Sequence, residues 1–447
     1  MRRLMLTAMA SGSGKTTVTC ALLAALKRRG IPAQSFKCGP DYIDPMFHTQ
    51  VLGTPSRNLD LFLQGPQGLW RTLACQRADF ALVEGAMGFY DGIGSTAEAS
   101  AWQTADTAGI PAVLVLRPSG SSLTLAAQVR GLQTFRSPSH LEGLLLNRCK
   151  PNLYAHLAPT LERETGLPVL GYLPPMEEAV FPSRHLGLLT AGEIADLSSR
   201  IEILAAQMER TVDIPGLLDL ADSACAPRAA SAAVPPRCRI AVARDEAFCF
   251  FYQDNLDALR RSGAEPVFFS ALRDKALPSD VHGLYLAGGY PELHAQTLSE
   301  NQTMRESIRQ AVSAGLPTVA ECGGFLYLQQ TLEDEQGTPW PMAGVLPGHG
   351  FPAGGLRRFG YLTMTAEADS LLLRRKEAVP AHEFHYWDCT ENGASLRAQK
   401  AGRETSWRCG FTSPSLYAAF PHLHFNGTLP LARRFADQAA RWREEHT

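Results

Sequence analysis

Short apolar runs alternate with longer helix-like segments over the first half of the chain. The runs are LMLTA at 4–8, FALVEGA at 80–86, AVLVL at 112–116 and GLLLN at 143–147, and 16–29 is a typical intervening segment. Alternating strands and helices predict parallel strands joined by right-handed crossovers, with helices on both faces of the sheet. The pattern therefore predicts an α/β fold.

The alternation stops near 221–238, where the chain reads ADSACAPRAASAAVPPRC. This stretch is rich in Ala, Pro and Ser and has little to bury, so we interpret it as an interdomain linker. The pattern then restarts with RIAVARD at 239–245, EPVFFS at 265–270, GLYLAGG at 283–289 and PTVAECGG at 317–324. We predict an α/β domain at 1–221, a linker at 222–238 and a second α/β domain at 239–447.

The totals fit an ordinary globular protein of 447 residues, with 45% hydrophobic and 19% charged residues. A net charge of −2 gives no reason to expect a nucleic acid or an anionic membrane as partner. No apolar run reaches the roughly 18–20 residues needed to cross a bilayer. The start, MRRLMLTAMASGSGKTT, is not interpreted as a signal peptide, because its apolar run is only strand-length. Ten cysteines without a C-x-x-C pair favour the reducing cytoplasm.

A phosphate-binding loop follows the first predicted strand. Residues 10–17 read ASGSGKTT, between a strand and a helix, with Met9 where the standard pattern has glycine. Such a loop points backbone N–H groups at phosphate oxygens, and the helix N-terminus adds its positive end. Lys15 would reach the β- and γ-phosphates of ATP, and Thr16 would place its hydroxyl on Mg²⁺. The predicted ATP-binding residues are Ser11, Gly12, Ser13, Gly14, Lys15, Thr16 and Thr17.

Two acidic segments are candidates to complete this site. KCGPDYIDPMFH at 37–48 carries Asp41 and Asp44, and ALVEGAMGFYDG at 81–92 carries Glu84 at a strand end and Asp91 on the next loop. Carboxylates at the C-terminal ends of parallel strands lie where ligands bind, and they can hold Mg²⁺ directly or through water. The alternative use is a helix cap or a surface turn. We predict Thr16, Asp41 and Glu84 as Mg²⁺ ligands.

A nucleophilic thiol is predicted at Cys322. Residues 317–328 read PTVAECGGFLYL, which is a strand, a sharp glycine turn and an apolar helix. The helix N-terminus is expected to lower the pKa of the thiol, and the Gly323 N–H to stabilise an oxyanion. The second oxyanion donor is expected from the loop AGGYPELH at 287–294, at Gly289.

The thiol also needs a base, and the segment FPHLHFNG offers His422 and His424. No acid follows two residues after either histidine, so no third member of a triad is assigned. HEFHYW at 382–387 has H-E-x-H spacing instead of H-E-x-x-H, which argues against a zinc site. We expect that segment to be an aromatic, histidine-bearing loop on the substrate side or between the domains.

The residues closely resemble the cobyrinic acid a,c-diamide synthases of cobalamin biosynthesis, over nearly the whole chain. The resemblance is carried, in the family's order, by ASGSGKTT, FKCGPDYIDPMFH, PSRNLD, ALVEGAMGFYDG, LYLAGGYPELHA, AECGGFLYL, HEFHY and HLHF. It implies an N-terminal ATP-dependent synthetase domain similar to dethiobiotin synthetase and a C-terminal class I-type glutaminase domain.

The resemblance also implies a chemistry. Cys322 would release ammonia from glutamine through a thioester, while a corrinoid carboxylate would take the γ-phosphate of ATP and become an acyl phosphate that ammonia attacks. Asp41, Tyr42, Asp44, Glu84 and Asp91 would surround ATP, Mg²⁺ and that carboxylate, and Asn147 would read the adenine. Comparison with the sister cobyric acid synthases favours His422 as the base, although the pattern keeps both histidines.

Alternatives stay open from the sequence. The macrocycle could be nickel sirohydrochlorin or metal-free hydrogenobyrinic acid. A different class of protein is a P-loop partitioning or regulatory ATPase with an inactive glutaminase-like domain, which the intact Cys322 turn argues against. The sequence leaves open whether two chains form a homodimer.

Overall fold

A computed structural model of the chain describes residues 2–184, 187–188, 194, 196–221 and 234–446. The chain forms two compact units, 1–229 and 230–447. Residues 222–233 of the predicted linker lie outside the described residues. The first strand of the second unit begins at Cys238, the last residue of that predicted linker.

The first unit alternates strands with helices from its first described residue. Its strands are β1 (Arg2–Ala8), β2 (Ala33–Cys38), β3 (Arg57–Leu59), β4 (Phe80–Glu84), β5 (Ala112–Leu116), β6 (Leu141–Asn147), β7 (Val169–Leu173), β8 (Ser183–Arg184) and β9 (Gly187–Leu188). Its helices are α1 (Lys15–Arg28), α2 (Ile43–Leu52), α3 (Leu61–Leu73), α4 (Ala101–Ala108), α5 (Leu123–Phe135), α6 (Pro151–Thr165), α7 (Leu197–Thr211) and α8 (Ile214–Leu220).

Seven of these strands form one parallel sheet in the order β3-β2-β4-β1-β5-β6-β7. Buried apolar clusters cover both of its faces, which confirms the predicted α/β fold. The strands β1, β2 and β4 are neighbours, so the loops that leave their C-terminal ends meet at one edge. That edge is where ligands bind in open parallel sheets.

The second unit is also α/β, but its described residues form two sheets. Its strands are β10 (Cys238–Ala243), β11 (Ala264–Phe269), β12 (Gly283–Leu286), β13 (Thr318–Glu321), β14 (Thr331–Glu333), β15 (Pro339–Pro341), β16 (His349–Ala366), β17 (Ala378–Cys389), β18 (Leu396–Lys400), β19 (Ser406–Cys409), β20 (Phe411–Thr412), β21 (Leu416–Ala419) and β22 (His422–Leu423). Its helices are α9 (Gln253–Arg261), α10 (Ala295–Glu300), α11 (Gln302–Ser313), α12 (Gly323–Tyr327) and α13 (Leu431–His446).

One sheet has the order β11-β10-β12-β13-β21-β20, and only the short edge strand β20 is antiparallel to its neighbour. The other sheet is mostly antiparallel and is built on the long hairpin of β16 and β17. HEFHYW lies inside β17, so the prediction of a loop at 382–387 is wrong. Cross-strand pairing with β16 and β22 keeps this polar and aromatic segment extended.

Within the described residues, no helix is both long and apolar enough to cross a membrane.

Candidate active sites

The phosphate loop lies between β1 and α1, as the sequence predicts. The Ser13 hydroxyl donates to the Ala10 carbonyl at 2.9 Å and closes the loop on itself. The Lys15 ammonium donates to the carbonyls of Ala10 at 3.3 Å and Met87 at 2.5 Å, across the mouth of the loop. The Asn147 side-chain amide donates to the Ser13 carbonyl at 2.9 Å, so Asn147 braces the loop from the end of β6.

Glu84 lies at the centre of the polar side chains in this site. It ends β4, and its side chain is completely buried. One carboxylate oxygen, Oε1, accepts hydrogen bonds from the Thr16 hydroxyl at 2.8 Å and from the Lys37 ammonium at 2.9 Å. The other oxygen lies 2.8 Å from Nε2 of His48, a fully buried residue of α2. The Lys37 ammonium also lies 2.6 Å from Oδ2 of Asp44.

These neighbours determine the charges in the cluster. Burial by itself would lower the pKa of Lys37. The nearby carboxylates of Asp44 and Glu84 have the larger combined effect, so the pKa of Lys37 is raised well above its ordinary value. Burial raises the pKa of Glu84, but Lys37 and then His48 hold it well below its usual range. Burial, and then the charge of Glu84, raise the pKa of Asp44 well above its ordinary value. Glu84 therefore carries a negative charge next to a protonated Lys37.

Lys15 is held in a different electrostatic state. Burial, and then the positive charge of Lys37, lower the pKa of Lys15 to about 8, while the carboxylates of Glu84, Asp44 and Asp91 oppose that shift. The ammonium is thus ready to gain stabilisation from an added anion, because its own environment supplies too little negative charge.

The remaining predicted residues of this unit shape the loops around the cluster. Asp41 Oδ1 accepts a hydrogen bond from the Ile43 backbone N–H at 2.8 Å, so this carboxylate forms a turn before α2. Tyr42 is half-buried at the start of the same helix. Asp91 Oδ2 accepts from the Gly88 N–H at 2.9 Å and holds the loop that supplies the carbonyl to Lys15.

The donor set at Thr16 and Glu84 fits Mg²⁺. Both groups offer oxygen, the ligand atom that this ion prefers. The two oxygens are 2.8 Å apart. Adjacent ligands of an octahedral Mg²⁺ at about 2.0–2.1 Å stand about 2.9 Å from each other. Asp41 is engaged in its local turn, so Thr16 and Glu84 are the stronger ligand candidates of the three.

In the second unit, Cys322 occupies a sharp turn between β13 and α12. Its backbone has φ 48 and ψ −104, a conformation that L residues rarely adopt and that recurs at functional sites. The Cys322 N–H donates to the Ala419 carbonyl at 2.9 Å, and a Cβ atom on Gly324 would lie 2.2 Å from the Leu286 carbonyl oxygen. Only glycine fits there, so the sequence E-C-G-G builds the turn as predicted.

The glycine loop after β12 lies against this turn. The Gly289 nitrogen is 3.0 Å from the position of a Cβ atom on Gly323. A Cβ atom on Gly289 would itself lie 2.1 Å from the Ala247 carbonyl oxygen, so the loop can pass here only as glycine. The structure thus brings the two predicted oxyanion residues together beside Cys322.

The two candidate histidines differ in their surroundings. His422 is buried, its Nδ1 lies 3.9 Å from Glu321 Oε2, and its ring would clash with a Cβ atom on Gly288, one residue before Gly289. His424 packs on the Tyr252 ring, with centroids 4.7 Å apart. His422 therefore lies next to Glu321, which precedes Cys322, and next to Gly288 of the glycine loop. His424 instead packs against the ring of Tyr252.

The thiol itself differs from expectation. Burial, followed by the charges of Glu292 and Glu383, raises the pKa of Cys322 far above its usual value, while the Gly323 N–H lowers it. The prediction of a lowered pKa is wrong for the resting protein, because α12 has only five residues and the thiol is 6% exposed. A base is therefore required to generate the thiolate.

Several polar residues of both sites were missed from the sequence. Lys37 and His48 stand at the two ends of the quoted segment 37–48, and Asn58 of PSRNLD donates to the carbonyls of 39 and 41 at 2.9 and 2.7 Å. Glu321, adjacent to the predicted thiol, accepts a hydrogen bond from the Tyr285 hydroxyl at 2.9 Å. Lys37 is the next-to-last residue of β2, a position near a strand end like the one that identified Glu84.

A phosphate loop on a parallel sheet in one unit and a cysteine turn with a buried histidine in the other define a nucleotide-binding glutamine amidotransferase. Residues 4–188 match the CobQ/CobB/MinD/ParA nucleotide binding domain, and 239–429 match the CobB/CobQ-like glutamine amidotransferase domain. The first match supports ATP binding, and the second supports glutamine as a substrate.

Proteins that are similar to this chain over nearly their full length identify its family within the glutamine amidotransferases. A cobyrinate a,c-diamide synthase of Clostridium acetobutylicum is 38% identical over 96% of this chain and 98% of its own length. The one of Salmonella typhimurium is 40% identical over 93% of each chain. A third, from Synechococcus sp., is 39% identical over 95% of each. The chain belongs to the cobyrinate a,c-diamide synthase family, and it is an amide-forming ligase with glutamine as amido donor.

Proposed function

We propose that this protein converts the a and c carboxylates of cobyrinic acid, or of hydrogenobyrinic acid, into amides through acyl phosphates. The observation that carries the proposal is the convergence of Lys15, Thr16, Glu84 and Lys37 at one edge of the parallel sheet. The names of the relatives support the corrinoid substrate and the two positions.

The first unit is proposed as the synthetase domain. A carboxylate oxygen of the macrocycle attacks the γ-phosphorus of ATP, and ADP leaves. Ammonia then attacks the activated carbon, and phosphate leaves with the carboxylate oxygen. Lys15 binds the phosphates, while Tyr42, Asp44 and Asp91 position the carboxylate. Thr16 and Glu84 would hold Mg²⁺, which when bound neutralises negative charge on the phosphates.

The second unit is proposed as the glutaminase domain. His422 accepts the thiol proton as Cys322 attacks the glutamine side-chain amide, and it passes that proton to the departing ammonia. The resulting thioester is hydrolysed by water to glutamate and free thiol. The N–H groups of Gly289 and Gly323 stabilise the oxyanion of each step. The high pKa of the resting thiol supports the need for this base.

The test is an assay with ATP, Mg²⁺, glutamine and a panel of macrocycles, with products identified by mass. Cobyrinic acid or hydrogenobyrinic acid should yield a monoamide and then a diamide. Turnover of nickel sirohydrochlorin alone would reassign the substrate. ATP hydrolysis without amidation of any macrocycle would overturn the proposal.

The acyl phosphate is tested separately with a substrate whose carboxylates carry heavy oxygen. If the carboxylate is phosphorylated, one heavy oxygen must leave in the inorganic phosphate for each amide formed. Unlabelled phosphate would show that the carboxylate oxygen never bonds to phosphorus.

A further inference from the structure

Glu321 is an acidic residue at the end of a buried strand, directly before the nucleophile. It ends β13, whose other residues are Thr318, Val319 and Ala320, and its side chain is 1% exposed. A buried carboxylate costs free energy unless its oxygens are paired. The oxygens of this acid therefore need hydrogen-bond donors from the surrounding protein, next to Cys322.

Its carboxylate ties together the chain segments that carry the site. Oε1 accepts a hydrogen bond from the Leu423 N–H at 2.9 Å, and Oε2 accepts one from the Tyr285 hydroxyl at 2.9 Å. Asn255 extends this network, because its side chain donates to the Leu423 carbonyl at 2.9 Å and accepts from the Phe425 N–H at 2.7 Å. Glu321, the residue before Cys322, is thus hydrogen-bonded to Leu423, the residue after His422.

The same carboxylate also faces the histidine ring. Oε2 lies 3.9 Å from Nδ1 of His422, and both side chains are buried. Burial, and then the charge of His385, lower the pKa of His422 to about 3, so its ring is neutral at rest. Accepting a proton from Cys322 would create a buried positive charge, which requires a nearby negative one. Glu321 supplies a carboxylate at that distance.

Another buried glutamate of this unit has different hydrogen-bond partners. Glu383 is also 1% exposed, but its Oε1 lies 2.7 Å from Nε2 of His385 and accepts from the Arg358 guanidinium at 3.0 Å. It lies on β17, in the antiparallel sheet. Glu383 therefore offers a matched comparison, since it is a buried acid of equal exposure that pairs with a different histidine.

We propose that Glu321 is the positioning residue for His422, fixing the strand that carries the histidine and stabilising its protonated form during glutamine hydrolysis. This inference rests on the proposed glutaminase roles of Cys322 and His422. It assigns the acid that the sequence left open, and it places that acid before the cysteine instead of after the histidine.

The test compares Glu321→Gln with Glu383→Gln in the full chain. Glutamine keeps an acceptor for the Leu423 N–H but removes the charge, so Glu321→Gln should lower the kcat of glutamine hydrolysis by about 10²-fold. Ammonia-dependent synthesis and the melting temperature should stay close to those of the unmodified protein. Glu321→Asp, which keeps the charge on a shorter side chain, should recover part of the lost rate.

The pH profile separates charge from structure. Burial raises the pKa of Glu321 to about 7, and the groups that face it are Tyr285, Tyr417, His422 and Cys322, with His382 beside His422. The kcat/KM for glutamine should therefore fall as the pH drops through about 7. This fall in kcat/KM at low pH should be absent in Glu321→Gln and present in Glu383→Gln.

Two results would overturn the inference. If Glu321→Gln keeps both the kcat of glutamine hydrolysis and the fall in kcat/KM at low pH, the charge of Glu321 is not used. Equal losses in glutamine- and ammonia-dependent synthesis, with a lowered melting temperature, would leave Glu321 a structural role only. Cys322→Ala distinguishes the underlying proposal, because glutamine hydrolysis that survives in that variant contradicts the glutaminase assignment itself.

Discussion

The side-chain nitrogen of Asn147 lies 2.1 Å from the point where a Cβ atom on Gly14 would stand. Gly12 has a similar backbone, with φ 76 against 88, but a Cβ atom there meets nothing within 4 Å among the described residues. Both substitutions to alanine would carry a similar left-handed strain of about 1–2 kcal/mol. Gly14→Ala should therefore reduce ATP-dependent amidation more than Gly12→Ala.

This difference can be measured as the ratio of the two apparent affinities for ATP. Adding Asn147→Ala removes the clashing amide, so the double variant should bind ATP better than Gly14→Ala alone. Equal defects in Gly12→Ala and Gly14→Ala would show that contact with Asn147 does not position the loop.

ATP binding should depend on the protonation of Lys15, whose pKa is lowered to about 8 by burial and by Lys37. Below that pH the ammonium is charged and attracts phosphate, and above it the charge is lost. The Kd for ATP should rise as the pH increases beyond about 8. Titration calorimetry should also detect proton uptake on binding near this pH, because the nucleotide raises the pKa.

The variant Lys15→Ala is the control for this profile. It should lower amidation on the order of 10²–10³-fold with either nitrogen source, because one charged contact to the transferred phosphate is lost. Its affinity for ATP should be weak and nearly independent of pH. Near-normal turnover would show that ATP binds elsewhere.

Cys322→Ala should abolish synthesis with glutamine and retain synthesis with saturating ammonia, since the thiol acts only in releasing ammonia. Amide formation with each nitrogen source is the measurement. A variant that fails equally with ammonia would contradict this division of labour.

The two histidines provide a matched pair. His422→Ala should lower glutamine hydrolysis by about 10²–10⁴-fold, the usual contribution of a general base. His424→Ala should keep most of that rate and mainly lower the melting temperature, because its ring packs on Tyr252. Rates and melting curves of both variants decide the matter, and the reverse ranking would assign the base to His424.

The order in which the substrate carboxylates are amidated should depend on Tyr42 and Asp44. Asp44 pairs with Lys37 at 2.6 Å beside Glu84, so Asp44→Asn alters the position of a cation in the cluster. We expect the second amidation to slow more than the first, because positioning must discriminate among acids of similar reactivity. Mono- and diamide masses over time measure this.

A structural role would give a different result. If 37–48 is only a rigid turn, substitution should slow both rounds in proportion and lower the melting temperature. Accumulation of a monoamide at an unchanged melting temperature would favour the selective role, and parallel loss would exclude it.

The sequence predicted the parts of the fold whose pattern is local. The strands β1, β4, β5 and β6 of the first unit and β10, β11, β12 and β13 of the second were predicted because their apolar runs are short and regularly spaced, and glycines at 12, 14 and 323 marked the sharp turns. The antiparallel sheet was missed because β16 and β17 mix glycine, arginine and aromatic residues without clear alternation. Their pairing depends on partners distant in sequence.

The site residues divide in the same way. Lys15, Glu84 and Cys322 stand next to strand ends and glycines, so their placement could be predicted. The relation of Glu321 to His422 spans about a hundred residues, and no spacing rule contains it. The thiol pKa was predicted in the wrong direction because burial is a property of the packed unit, whereas the helix N-terminus is visible in the sequence.

The burial of Cys322 has a consequence for the resting protein in the presence of oxidants and alkylating reagents. Peroxide and iodoacetamide react with thiolates, and a thiol with a strongly raised pKa supplies almost none at neutral pH. The nucleophile is thus chemically protected until a substrate engages the site. Inhibitors shaped like glutamine should label Cys322 far more selectively than small general electrophiles, which would react first with the more accessible cysteines 75 and 249.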